Sequence, residues 1–435
     1  MDTLSRLRAG QLAGIRRLDL SCGLTEFPAE IFALADTLEI LNLSGNALSR
    51  LPDDLPRLHK LRIIFCSDNR FTRLPEVLGA CPQLSMIGFR ANQIAEVPAA
   101  ALPPDLRWLV LTDNRIEELP AAIGRCKSLQ KLMLAGNRLQ ALPAALADCR
   151  NLELLRIAAN RLEALPDWLL TLPRLAWLAY SGNPFSDRSE ASVLARHPIG
   201  EIDWTTLSLA EKLGEGASGE IFRATGGAGE VAVKLFKGAL TSDGLPHSEM
   251  DACIAAGTHL NLIPVLGKVA GHPQAADGLV MALIATDYLN LAGPPSLDSC
   301  TRDIYPAGAG LPLPTVLGIA RGIASAARHL HGQGILHGDL YAHNILYHTA
   351  GDCLLGDFGA ASFFEPEAKA RAQALQRIEV RAFACLLDEL LDLCPAGEPP
   401  QTLSALRALA ERCHDPEVGR RPLFAEIAEQ LAEFG

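Results

Sequence analysis

Leu38, Leu61, Leu84, Leu106, Leu129, Leu152 and Leu175 each open a copy of the pattern LxxLxLxxNxLxxLPxxLxxLxx, at intervals of 23, 23, 22, 23, 23 and 23 residues. Asn46, Asn69, Asn92, Asn114, Asn137, Asn160 and Asn183 recur in register, and an earlier copy begins at Ile15 with Cys22 in the asparagine position. This period constrains the fold more than any other feature. A unit of this length cannot bury its apolar side alone, so successive copies must stack and share one core. Each LxL stretch reads as a short strand of a parallel ladder, with its leucines turned inward. The asparagines satisfy backbone groups at the tight turn that follows, a structural role. Pro52, Pro75, Pro98, Pro120, Pro143 and Pro166 redirect the chain to the convex side.

Period-2 alternation turns the third, fifth and seventh residues of each copy outward. Ile40, Ile63, Phe65, Met86, Trp108, Met133, Leu154 and Trp177 then form an apolar concave stripe. A patch of that kind marks an interaction surface. Its occupant is either an outside protein or peptide, or the second half of this chain folded back. The pattern resembles the leucine-rich repeat family. The resemblance implies an α/β solenoid of seven to eight repeats over residues 1–186, with residues 187–204 as cap and linker. Cys81, Cys126 and Cys149 share one repeat position and read as small buried apolar groups, not disulfides.

Residues 1–200 carry 23 basic and 21 acidic side chains, a net of +2, and the remainder carries 16 and 29, a net of −13. No basic stripe of the kind that binds nucleic acid is present, and the acidic half repels an anionic membrane surface. Apolar stretches such as Leu279 to Ala285 are too short to span a bilayer, and the N-terminus lacks the apolar run of a secretory signal. The expectation is a soluble, cytoplasmic protein of bacterial type, with a secreted effector as the alternative.

Five further signals stand in order between Gly214 and Gly359: LGEGASGEIF, VAVK, an acidic helix start at Glu249, HGDLYAHN and DFG. Glycines at 214, 216 and 219, between Leu213 and Ile221, suit a strand–turn–strand flap whose N–H groups approach phosphates closely. Lys234 interrupts an apolar strand and needs a partner. Glu249, fifteen residues on, fits, and Glu230 is the competitor. The ordered set resembles the protein kinase family. It implies an α+β two-lobed kinase-like domain over residues 205–435 that binds ATP and Mg²⁺.

By that resemblance Asp339 orients the acceptor hydroxyl, Lys234 aligns the phosphates and Glu249 holds Lys234. Asn344 and Asp357 hold the metal; their oxygen donors suit a hard cation. Leu213, Ile221, Met281 and Leu346 line the nucleotide site, with Met281 as gatekeeper and Ala282 at the hinge. His331 and His337 are packing residues; His329, His343 and His348 complete a histidine cluster that is not read as a zinc site. Glu379 takes the place of an aspartate on the helix that anchors the large lobe. Arg421 is expected to pair with Glu367.

Several positions depart from the family pattern. Gly338 replaces the arginine that grips a phosphorylated activation loop. The segment from Asp357 to Glu367 is eleven residues long, with Ser362 its sole hydroxyl. Tyr341 stands where serine/threonine kinases carry a lysine, and His343 where tyrosine kinases often carry an arginine. The reading is an ATP-dependent protein kinase, with Ser/Thr favoured as acceptor, whose repeats recruit a partner or substrate. The alternative is a nucleotide-binding pseudokinase scaffold.

Overall fold

The computed structural model describes residues 2–227, 229–238, 240–296 and 302–434. The chain divides into two compact units: Met1–Arg174, and Leu175–Leu297 together with Thr301–Gly435. The division falls inside the final repeat, ahead of the 186 boundary drawn from the repeat pattern.

After a short helix, α1 (Thr3–Arg8), the repeats supply strands β1 (Arg17–Asp19), β2 (Ile40–Asn42), β3 (Ile63–Phe65), β4 (Met86–Gly88), β5 (Trp108–Val110), β6 (Lys131–Met133), β7 (Leu154–Arg156) and β8 (Trp177–Ala179). Within the first unit β1 to β7 form a parallel ladder in chain order. Successive partners are in strict register, Ile40 beside Ile63 beside Met86 beside Trp108. The convex side carries 3₁₀ turns such as Glu76–Ala80, Ala121–Arg125 and Ala144–Asp148, each started by a proline. Proline suits that place because its fixed φ starts the turn and no N–H is wanted there.

The asparagine ladder closes each turn. Asn137 Oδ1 accepts from Ile116 N at 3.0 Å, and its Nδ2 donates to Leu111 O and Leu134 O at 2.9 Å each. Asn69, Asn114 and Asn160 repeat this pattern. Cys81, Cys126 and Cys149 are free and buried; burial pushes the Cys149 thiol up to about 12.

The concave stripe corrects one expectation. Ile40, Ile63, Met86 and Trp108 are buried and form a cluster, with Phe65, Val110 and Met133 packed against it. Lys131 lies over the Trp108 ring at 4.5 Å, and Trp108 Nε1 donates to Met133 Sδ. Leu154 is also buried. Large side chains at 23-residue spacing meet their counterparts one strand away and cover each other.

In the second unit, Asn183 caps helix α2 (Pro184–Leu194) through a box with Ser186. Strand β9 (Glu201–Asp203) follows, so the expected linker is partly structured. Strands β10 (Ser208–Glu215), β11 (Gly219–Gly226), β12 (Gly229–Phe236), helix α3 (Pro246–Ala255), β13 (Val265–Ala270) and β14 (Gly278–Ala282) build a small lobe. The sheet order is β10-β11-β12-β14-β13-β9, antiparallel except for β9, which joins β13 in parallel. The larger lobe holds β15 (Leu289–Asn290), α4 (Leu313–Gln333), β16 (Ile335–Leu336), β17 (Ile345–Tyr347), β18 (Cys353–Leu355), β19 (Ser362–Phe363), α5 (Lys369–Asp392), α6 (Pro400–Cys413) and α7 (Phe424–Ala432). β16 pairs with β19, and β17 lies between β15 and β18. No helix among the described residues is long and apolar enough to cross a membrane.

Candidate active site

The hairpin β10–β11 carries the glycine loop. Gly216 N donates to Gly219 O at 2.9 Å, closing the turn. A Cβ on Gly214 or Gly216 would meet nothing within 4 Å, so this backbone faces open space. At Gly219 the strands cross closely, and a Cβ would come within 2.5 Å of Leu235 O. Glu215 is gripped by Lys212 and Lys237, which hold its carboxyl down to about 2.

β12 delivers Lys234 and α3 delivers Glu249, and the two form an ion pair with side chains 14% and 2% exposed. Burial works against the Lys234 ammonium, but Glu249, Cys253 and Asp357 outweigh it and hold its pKa above the usual lysine range. The competitor Glu230 instead pairs with Arg223, on the neighbouring strand β11.

A cavity of about 350 Å³ opens under the glycine loop, lined by Gly214, Gly216, Gly219, Lys234, Glu249 and Asp357 among others. A smaller apolar one, about 80 Å³, lies behind Lys234 and includes Ile221, Met281 and Phe358. Leu213, on β10, and Leu346, on β17, line neither cavity.

The turn 337–344 holds the catalytic-loop candidates. Asn344 Nδ2 donates to Asp339 Oδ2 at 2.8 Å and to Asp339 O at 2.9 Å. The amide oxygen of Asn344 is thereby left as its cation-binding atom. Asp357 stands in the left-handed region, φ 51°, and its Oδ1 accepts from Gly359 N at 3.1 Å. His337 bonds Gly356 O at 2.8 Å and packs on Phe358, a packing role. Carboxylate and amide oxygens from Asp357 and Asn344 fit a magnesium ion by donor chemistry.

Glu379, on α5, supports this turn from below. It accepts from Gly338 N at 2.7 Å and bonds His331 Nε2 at 2.7 Å. Burial disfavours its charge, but His331, His337 and the Gly338 N–H prevail and keep the carboxyl below its ordinary range.

One functional residue carried no signal in the sequence. Asp303 accepts from Ala342 N at 2.8 Å, from His343 N at 3.1 Å and from His343 Nδ1 at 2.6 Å. No motif surrounds it, and it reaches this turn across about forty residues of chain.

The Arg421–Glu367 pairing does not form. Arg421 is buried and donates to Asp415 O and Arg377 O, and burial pulls its pKa down to about 10. Glu367 is exposed and pairs with Arg196. The shortened segment after DFG runs straight into α5, leaving Glu367 on the surface.

Residues 207–392 match the family described as protein tyrosine and serine/threonine kinase. Residues 37–58, 104–162 and 127–185 match leucine-rich repeats. The chain therefore combines leucine-rich repeats with a protein kinase domain. It is 28% identical to the serine/threonine-protein kinase mos of Xenopus laevis over 165 residues, 37% of this chain and 43% of that protein. It is 30% identical to the mos proto-oncogene kinase of Sus scrofa over 182 residues, 38% and 50% of the two chains. It is 27% identical to fibroblast growth factor receptor 1 of Pleurodeles waltl over 321 residues, 60% and 38%. The chain spans half or less of the length of these curated relatives.

Proposed function

We propose that this protein is an ATP- and Mg²⁺-dependent protein kinase that passes a phosphoryl group to a protein hydroxyl, serine or threonine by preference. One observation carries the reading: the buried Lys234–Glu249 pair, the glycine loop and Asp357 converge on one cavity. Phosphoryl transfer is mostly positioning and charge stabilisation, and these groups supply both. Lys234 offers its ammonium to phosphate oxygens, and Glu249 fixes where that ammonium points. Asn344 and Asp357 would hold the magnesium ion, which would supply charge neutralisation. Asp339, kept in place by Asn344 Nδ2, accepts the proton of the incoming hydroxyl. Ile221 and Met281, which line the smaller cavity, frame the base. Similarity to kinases named for serine and threonine supports the acceptor preference.

The leucine-rich repeats recruit the partner or substrate. Repeat solenoids present extended concave surfaces to proteins. Here the rim around Trp108 and Met133 is the surface offered, since the stripe itself is largely self-covered.

The test is incubation of purified protein with Mg²⁺ and γ-labelled ATP, beside Asp339→Asn. Transfer to itself or to a generic protein acceptor, lost in the variant, supports the kinase. ATP-dependent thermal stabilisation without transfer in the wild type would sink it in favour of a scaffold.

A further inference from the structure

We propose that the final repeat acts as a built-in clamp on the catalytic and activation segments, with Trp177, Tyr180 and Ser181 as positioning residues. The inference rests on the kinase reading above and extends it to how the site is held ready. These three residues lie within the second compact unit, together with the segments they hold.

Trp177 grips the catalytic loop. Its side chain is 1% exposed, and Nε1 donates to Leu340 O at 3.1 Å. Its ring stacks on Tyr341 with centroids 4.4 Å apart and planes 8° from parallel. Leu340 and Tyr341 immediately follow Asp339, so the tryptophan fixes the backbone that presents the proton acceptor. Tyr341 replaces a cation in the family pattern, and here its ring is committed to this stack.

The turn after β8 grips the segment after DFG. Tyr180 N donates to Ser362 Oγ at 2.8 Å, and Tyr180 OH donates to Phe363 O at 3.0 Å. Ser181 Oγ donates to Ala361 O at 2.8 Å. Ser362, the sole hydroxyl of the segment, is fully buried and engaged in this contact. A hydroxyl so placed is closed to modification while the clamp is shut.

Gly338 shows that backbone and clamp fit each other. Its φ is +74°, and a Cβ there would come within 2.4 Å of Ala360 O and 2.8 Å of Leu178 O. Leu178 belongs to β8, so the space an arginine would need is filled by the repeat's own carbonyl. A switchable kinase orders its loop through an arginine and a phosphate. In this chain the ordering contacts form on folding, and no phosphorylation step is needed to assemble the site.

The experiment compares full-length wild type with Trp177→Ala, Trp177→Phe and the double variant Tyr180→Phe/Ser181→Ala. It reads kcat, ATP affinity by calorimetry, and amide hydrogen exchange over residues 340–345 and 360–364. Trp177→Ala is expected to lower kcat about tenfold or more while ATP affinity moves less than about twofold, because misplacing the acceptor side leaves the nucleotide side intact. Trp177→Phe keeps a ring for Tyr341 and recovers most of the rate. Exchange rises in both segments for Trp177→Ala, and over 360–364 for the double variant, with the β11–β12 amides unchanged.

Unchanged kcat and exchange in Trp177→Ala would overturn the clamp, as would a uniform loss of ATP affinity and protection across the domain. Should Trp177→Ala not fold, the double variant, which removes only two hydroxyls, decides by the same criteria. A wild type that transfers no phosphate defeats the kinase reading alone, and the exchange measurement then decides the clamp by itself.

Discussion

His343 is the residue whose charge state most directly bears on the site. Burial opposes its protonation, but the hydrogen bond to Asp303 and the carboxylates of Asp339, Asp303 and Asp357 overcome it and raise its pKa. Its ring also lies 5.2 Å from that of Tyr341. A raised pKa means that the His343–Asp303 pair contributes its full stability below the ordinary histidine value of about 6.5 and loses it as pH climbs through the higher folded value. We expect thermal stability and transfer rate to show an alkaline fall above about pH 6.5 that is absent in His343→Gln. A fall of the same size and midpoint in that variant would show that another group is responsible. Glu379 works in the opposite sense: its depressed pKa holds stability at neutral pH that is lost on acidification through the folded value.

Lys234 and Glu249 belong to the same scale. Lys234→Met removes the cation that pairs with the buried Glu249 carboxylate. Its cost should be about 3 kcal/mol of stability by urea unfolding, together with ATP-dependent stabilisation. Glu249→Gln keeps an amide beside Lys234 and should cost less stability than Lys234→Met. Equal costs would mean that the pair is not what holds α3 in place. The sequence shows Lys234 by its VAVK motif and Glu249 by spacing, and in the structure Lys234 pairs with Glu249 while Glu230 pairs with Arg223.

At the scale of elements, the repeats stand on the asparagine ladder. Asn137→Ala strands the buried Ile116 N, while Leu111 O and Leu134 O each keep a donor in Asn114 and Asn160. Leaving such a group unpaired costs about 2–3 kcal/mol, and denaturant unfolding should show it. A loss below about 0.5 kcal/mol would mean that the turn is closed by other bonds. Every element of this ladder was legible in the sequence, because its asparagines recur at a period of about 23 residues. The covered stripe was less legible. Alternation shows which side chains leave the core, and only the packing of neighbours shows that Ile40, Ile63, Met86 and Trp108 cover one another.

At the scale of the whole molecule, the compact unit that carries the kinase site begins at Leu175, inside the final repeat. A fragment of residues 175–435 retains Trp177, Tyr180 and Ser181, whereas one of residues 187–435 exposes Tyr341 and frees Ala361, Ser362 and Phe363 from their partners. The longer fragment should keep ATP-dependent thermal stabilisation and the shorter should lose it or aggregate. Equal stability of the two would place the boundary back at the end of the repeat pattern.

The sequence by itself determined the repeat solenoid, the kinase domain, and the identity of Lys234, Asp339, Asn344 and Asp357 as site candidates. Each of these is written in contiguous motifs or at fixed spacing, where local backbone geometry and chemistry dictate residue type. Only the tertiary structure decided that Asp303 caps the catalytic turn, that Arg421 turns to carbonyls instead of Glu367, and that the last repeat holds the segments flanking DFG. Those contacts join residues as far as about 180 positions apart. A single hydrogen bond or ring stack at that distance imposes no period and no motif, so its existence is settled by how the elements pack.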